Sequence, residues 1–216
     1  MYIFEKAFQI AERVKKDLDG RVADGGINLP YVVSMVVCAG AGDHLEIGSL
    51  FGASAIAAAL AKKEWNLPGK DFCIDPYEPR NPDLVKYQGP PDLFGGTPEA
   101  LNANAIKFGV EDRIALVRAK SQPWPEPLTN SRFASAYIDG DHMGAVPWFD
   151  FIECARRTEH YVALDNFEEG YPDVVNAVLR AINGADWFLF FKQNTFCALR
   201  KSKKAGDRTL LDMMRT

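Results

Sequence analysis

From residue 44 onward, short apolar runs alternate with segments of helical period, and this alternation constrains the fold more than any other property of the chain. His44-Leu45-Glu46-Ile47 is a short strand, followed by a glycine turn and a helix over 53–63. Residues 71–75, 114–117, 134–139 and 160–165 read as four more strands, and 99–108, 148–157 and 171–182 as helices. Two aromatic-rich runs, 187–191 and 195–199, flank Lys192-Gln193-Asn194 and read as a hairpin. Strand–helix alternation of this kind implies a doubly wound α/β fold, a mostly parallel sheet with helices on both faces. The hairpin brings the sheet to seven strands and adds antiparallel pairing. In such sheets ligands bind beyond the carboxyl ends of the strands, at the topological switch point. The residues that follow each strand are therefore the candidates for function.

Before the alternation lies an amphipathic helix over 4–18, carried by Phe4, Phe8, Ile10, Ala11, Val14 and Leu18 and closed by Gly20. A second helix is expected over 30–39, with Pro30 in its first turn. We divide the chain into an N-terminal helical segment (1–29), the main domain (30–201) and a basic tail (202–216). Within the main domain, 76–98 holds six of the thirteen prolines. A loop that long in a compact domain is usually functional, and its place after the second strand puts it over the expected site.

Composition excludes several classes. Of 216 residues, 47% are hydrophobic and 12% aromatic, too many for a disordered chain. The net charge of −4 argues against nucleic acid as the main partner, although 192–216 carries seven basic and two acidic residues. The least polar stretch, 29–42, is too short to span a bilayer. Charged residues from Glu5 to Asp17 interrupt the start, so no secretory signal is expected. Cys38, Cys73, Cys154 and Cys197 are too far apart for a zinc knuckle or a CxxC pair. A cytoplasmic location without a membrane partner is expected, and a homodimer is left open.

The first strand runs into Gly48-Ser49-Leu50-Phe51-Gly52-Ala53-Ser54. Glycines at a strand-to-helix turn let backbone N–H groups approach a ligand. A dinucleotide site has a glycine in the middle of this turn, to make room for a pyrophosphate. Leu50 stands there, which favours a nucleoside ligand without a pyrophosphate and disfavours an NAD-dependent oxidoreductase. Asp75 ends the second strand, where a carboxylate can accept ribose hydroxyls.

The segment from His44 to Ala55 resembles the first motif of class I S-adenosylmethionine-dependent methyltransferases, which have a Rossmann-like fold. It is most similar to the O-methyltransferase branch that includes the catechol, caffeoyl-CoA and macrolide-sugar enzymes, and the resemblance spans 30–199. It implies S-adenosyl-L-methionine as cofactor, bound by the motif residues Glu46, Gly48, Ser49, Gly52 and Ser54 together with Asp75. Gly48 and Ser49 would line its methionine portion, Ser54 its carboxylate and Asp75 its ribose. Ser121-Gln122 matches a pair that touches adenine in the catechol enzyme.

Two further strand ends are polar: Asp139-Gly140-Asp141-His142 and Asp165-Asn166. Two carboxylates and an amide oxygen are hard ligands that suit Mg²⁺ or another divalent cation. By the resemblance, Asp139, Asp165 and Asn166 are the metal ligands. His142 stands where the catechol enzyme has a lysine base and the macrolide-sugar enzymes a histidine. An imidazole, with an ordinary pKa of about 6.5, suits proton abstraction near neutrality. Asp141 replaces a tryptophan of the catechol enzyme. It could serve as a third carboxylate, as an orienter of His142 and thus part of the catalytic set, or as a surface residue. Trp148 is a candidate for adenine stacking, although a core role is the favoured reading for it. The reading as a whole is metal-assisted methyl transfer to a small hydroxylated acceptor, catechol-like or sugar-like. Its rivals are a metal-independent methyltransferase and a non-catalytic nucleoside-binding module.

Overall fold

The computed structural model describes residues 2–19, 42–78, 96–184 and 186–201. The expected helix over 30–39, Cys38, the middle of the proline-rich segment and the tail over 202–216 lie outside the described residues.

The described elements follow the expected alternation. They are α1 (Tyr2–Asp17), β1 (His44–Ile47), α2 (Ala53–Glu64), β2 (Asp71–Ile74), α3 (Pro98–Phe108), β3 (Ile114–Val117), β4 (Phe133–Ile138), α4 (Val146–Arg157), β5 (Thr158–Leu164), α5 (Pro172–Asn183), β6 (Trp187–Gln193) and β7 (Phe196–Lys201). One seven-stranded sheet has the order β3-β2-β1-β4-β5-β7-β6. Neighbours from β3 through β5 pair in parallel. The hairpin folds so that β7 lies antiparallel to both β5 and β6, leaving β6 at the edge. The chain leaves β1 toward β2 on one side and later returns to β4 on the other, so the switch point lies between β1 and β4.

Each sheet face has its own core. On one side the buried faces of α1, α2 and α3 meet through Val14, Ile56, Leu60, Ala105 and Phe108. On the other, α4 and α5 contribute Phe151, Cys154, Val174 and Val178, packed with Leu45, Phe133 and Leu164 of the sheet. All of α2 from Ala55 to Lys62 is buried, because α1 covers the side turned away from the sheet. A helix enclosed all round has to be apolar all round, and its alanines allow the close approach. Lys62 is the exception: its Nζ lies 2.9 Å from Asp71 Oδ1 with both side chains almost wholly buried. Removing one member of such a pair costs about 3–5 kcal/mol, because the other charge stays buried. Burial pushes the Asp71 carboxyl up to about 6 despite the opposing pull of Lys62. Among the described residues no helix is long and apolar enough to cross a membrane.

Candidate active site at the carboxyl edge of the sheet

β1 is buried along its whole length, and the turn after it is held by main chain. Gly48 has φ +88, and a Cβ built there would lie 2.1 Å from the carbonyl oxygen of Asp139. No side chain fits, so the turn after β1 touches the backbone at the end of β4. Leu50 has φ 46, the left-handed conformation expected of a glycine at the middle of such a turn. Gly52, at φ 86, caps α2 without a side-chain hydrogen bond. The first N–H groups of a helix have no acceptor within it, so the start of α2 presents donors suited to an anion.

Asp75 closes this turn. Its Oδ2 accepts the N–H groups of Ser49 at 2.9 Å and Leu50 at 3.0 Å, and its Oδ1 accepts Tyr77 N–H at 2.8 Å. The expectation of a carboxylate free for two ribose hydroxyls is thus revised. Three of its lone-pair positions serve the chain's own amides, and a ligand would share what remains. Ser54 differs from expectation in a similar way, because its hydroxyl donates to Glu46 Oε1 at 2.8 Å. That leaves the helix N–H groups, rather than the Ser54 hydroxyl, to hold a carboxylate. Glu46 itself is fully buried.

Buried polar atoms without a hydrogen-bond partner gather near this edge. They include Tyr77 Oη and Gln122 Nε2. Folded proteins leave few such atoms unpaired, so those at this edge are groups that a polar ligand would satisfy. Burial, helped by the charge of Asp75, raises the Tyr77 phenol well above its usual range. Tyr77, at φ 50, is held in left-handed backbone, as non-glycine residues at functional sites often are. The described end of the proline-rich segment returns here too: a Cβ on Gly96 would lie 2.8 Å from Leu50.

The acidic cluster lies across the switch point. Asp139 N–H donates to Ile47 O at 2.8 Å and Asp165 N–H to Ile138 O at 3.0 Å, so both acids stand at neighbouring strand ends. Their side chains turn to different partners. Asp139 Oδ1 lies 3.6 Å from His142 Nε2, with the two side chains 34% and 20% exposed. The His142 ring meets Tyr171 edge-on at 5.3 Å. Asp165 Oδ1 accepts the Thr195 hydroxyl at 2.8 Å, and Asn166 has φ 56. Asp141 is exposed and accepts the N–H of Met143, a local turn that leaves His142 to Asp139. Among the described residues no three acids, histidines or cysteines form a group that could hold a metal. The expected donors therefore share an edge without being drawn together.

A family model described as a methyltransferase domain matches residues 45–167. The chain belongs to this methyltransferase family. The expected class, an S-adenosylmethionine-dependent methyltransferase of Rossmann-like fold, stands. No curated protein matches the chain. Among solved structures the O-methyltransferase NovP superposes with a TM-score of 0.65 at 14% identity, over 82% of this chain and 81% of its own. An O-methyltransferase from Bacillus cereus in complex with SAH gives 0.57 at 14%, over 94% and 91%. TomG from Streptomyces achromogenes, an O-methyltransferase in complex with SAM, gives 0.54 at 17%, over 93% and 90%. At these identities the likeness is one of fold.

In the methyltransferase frame, Ser121 and Gln122 follow β3, and Trp148 stacks on Phe151 at 5.7 Å under the Arg180 guanidinium. Those contacts tie Trp148 into α4 and α5 and do not place it as an adenine platform. Sequence reasoning missed Asp150 and Thr195. Asp150 did leave a signal, an acid within the apolar stripe Pro147, Phe151 and Cys154 of α4.

Proposed function

We propose that this methyltransferase moves the methyl group of S-adenosylmethionine to the hydroxyl of a small acceptor, catechol-like or sugar-like, with help from a divalent cation. One observation carries the reading. Gly48 of the cofactor turn and Asp139 of the acidic cluster are in backbone contact, so methyl donor and activated hydroxyl would meet across one peptide unit. Bound at the turn, the donor brings a sulfonium methyl with its own driving force, and a hard cation at the acids would lower the pKa of the acceptor hydroxyl.

The chain's residues supply position and proton transfer. The N–H groups at the start of α2 hold the donor's carboxylate, and Asp75 fixes the turn and offers its remaining lone pair to the ribose. Asp139, Asp165 and Asn166 are hard donors of the right chemistry for the cation, at the ends of adjacent strands. His142 Nε2 takes the hydroxyl proton as the oxygen–carbon bond forms and the carbon–sulfur bond breaks, and Asp139 steadies the resulting imidazolium. A net charge of −4 speaks against nucleic acid as acceptor. Buried free thiols at Cys73, Cys154 and Cys197 support a reducing, cytoplasmic setting.

A second reading is favoured by the Asp139–His142 pair. A carboxylate beside an imidazole can orient a general base without a metal. The deciding experiment is a screen of hydroxylated acceptors, read by S-adenosylhomocysteine release with Mg²⁺ and with chelator. Turnover lost to chelator and restored by Mg²⁺ supports the metal-assisted reading. Undiminished turnover in chelator selects the second, and absence of S-adenosylmethionine binding removes both.

A further inference from the structure

Strand β6 stands at the edge of the sheet but has the composition of an interior strand. From Trp187 to Phe191 it is wholly apolar. Successive strand residues point to opposite faces, and here Phe188 pairs with Arg200 while Leu189 pairs with Leu199. A strand with one wet face alternates apolar and polar residues, whereas a continuous apolar run is the pattern of a strand covered on both faces. Yet Phe188 and Leu189 are each 41% exposed and Phe191 36%. Among the described residues no strand pairs with the outer side of β6, which leaves a row of N–H and C=O groups open there. Proteins usually blunt such an edge with lysine, proline or a bulge. The apolar run has neither lysine nor proline, and the bulge between Leu189 and Phe191 bends the strand without removing its apolar surface.

The side chains around this edge have the chemistry of an interface centre. The Arg200 guanidinium lies 5.8, 6.0 and 5.9 Å from the ring centres of Tyr161, Phe188 and Phe190, and Phe190 meets Tyr161 edge-on at 5.3 Å. Aromatic rings and arginine are the residues enriched where proteins join. Charge selects the partner. Asp186 precedes the apolar run and Lys192 follows it, both exposed. We infer that β6 is the contact surface for a second copy of this chain, the two β6 strands lying side by side and antiparallel about a two-fold axis. Such an axis presents the same surface on both copies, and it sets Asp186 against Lys192 of the partner subunit at each end of the contact. A parallel approach would bring like charges together. The edge is thus complementary to itself, with Leu189, midway between the two charges, on the axis. The inference is independent of the proposed reaction.

Sedimentation equilibrium of the full chain tests it, with hydrogen exchange to locate the contact. Wild type should dimerise, and the amides of 187–191 should exchange more slowly as concentration rises. Leu189→Lys sets two lysines against each other at the axis and should weaken association by about 100-fold or more. Asp186→Lys should weaken it roughly 10-fold, and adding Lys192→Asp should restore it, because the pair is then reversed at both ends. A wild type that stays monomeric at every concentration overturns the inference. So does a dimer that withstands Leu189→Lys, or one that forms without slowed exchange at 187–191, because its contact lies elsewhere. Failure of Lys192→Asp to rescue Asp186→Lys overturns the antiparallel arrangement. The exchange measurement needs no variant, so it decides the matter even if a variant does not fold.

Discussion

Around β1 and β2 the polar groups are held by main chain, with Asp75 taking three backbone N–H groups and Gly48 resting on a carbonyl. At the ends of β4 and β5 the acids face side chains, Asp139 beside His142 and Asp165 under Thr195. Both regions lie on one edge of one sheet, a peptide unit apart. On the proposed function, the difference would separate two tasks. A cofactor that is the same in every turnover suits a site fixed by backbone, which needs no rearrangement to bind it. An acceptor and a cation that arrive and leave suit carboxylates with another partner to return to.

The comparison can be broken most severely where its halves touch. Gly48→Ala would push a Cβ into the Asp139 carbonyl and strain a left-handed backbone, and should cost about 3 kcal/mol or more in stability. Gly144→Ala is the control, with φ +63 but nothing within 4 Å of the added atom, and should cost only about 1 kcal/mol of backbone strain. Urea unfolding of the two variants measures both; equal midpoints would mean that the contact is not a constraint.

A smaller effect isolates the acidic half. His142→Ala should lower turnover by roughly 10²–10⁴-fold, the range for a lost general base, with affinity for S-adenosylhomocysteine unchanged. Full activity from pH 6 to 8 would move the base elsewhere, with Asp141 next in line. Asp75→Ala probes the other half. It should weaken S-adenosylhomocysteine binding by about 10- to 100-fold through loosening of the turn, with a lesser effect on turnover at saturating donor. Calorimetry and initial rates would show whether the two variants separate in this way.

The smallest effect is a slope. Burial holds Asp150 at about 7 and Asp71 at about 6, so between about pH 4 and 7 the folded chain binds protons that the unfolded chain has released. Stability from these acids is present below the unfolded pKa and is lost as pH rises through that window. Burial moves His44 well below its ordinary value, so it contributes the opposite slope below about pH 6.5. The readout is therefore the difference between proteins. Asp150→Asn should show a flatter loss of stability from pH 5 to 7 than wild type, and parallel melting curves would argue that Asp150 carries no raised pKa.

Much of the architecture was legible because it depends on local pattern. β1 and β3 fall where their apolar runs lie, and each described helix begins or ends within a few residues of its expected bounds. The insertion of β7 between β5 and β6 was not legible, because both hairpin strands are apolar and neither run marks the edge. Site residues were found where a polar side chain follows a strand, as at Asp75, Asp139 and Asp165. Several of their partners were hidden because they are distant in sequence: Thr195 reaches Asp165 across 30 positions, and two of the three amides that engage Asp75 lie 25 and 26 positions before it. Spacing gives the strand end, and only the folded chain shows which donors point at it.

The contact between Gly48 and the Asp139 carbonyl has a consequence for how such an enzyme can change. On the proposed function, the span from donor to acceptor would be set by main-chain atoms that every residue shares, rather than by side chains of the surrounding loops. Loops and hairpin can then be exchanged to admit a new alcohol while the reaction coordinate keeps its length. An engineer who wants a different product should leave the two strand ends alone and vary what faces them.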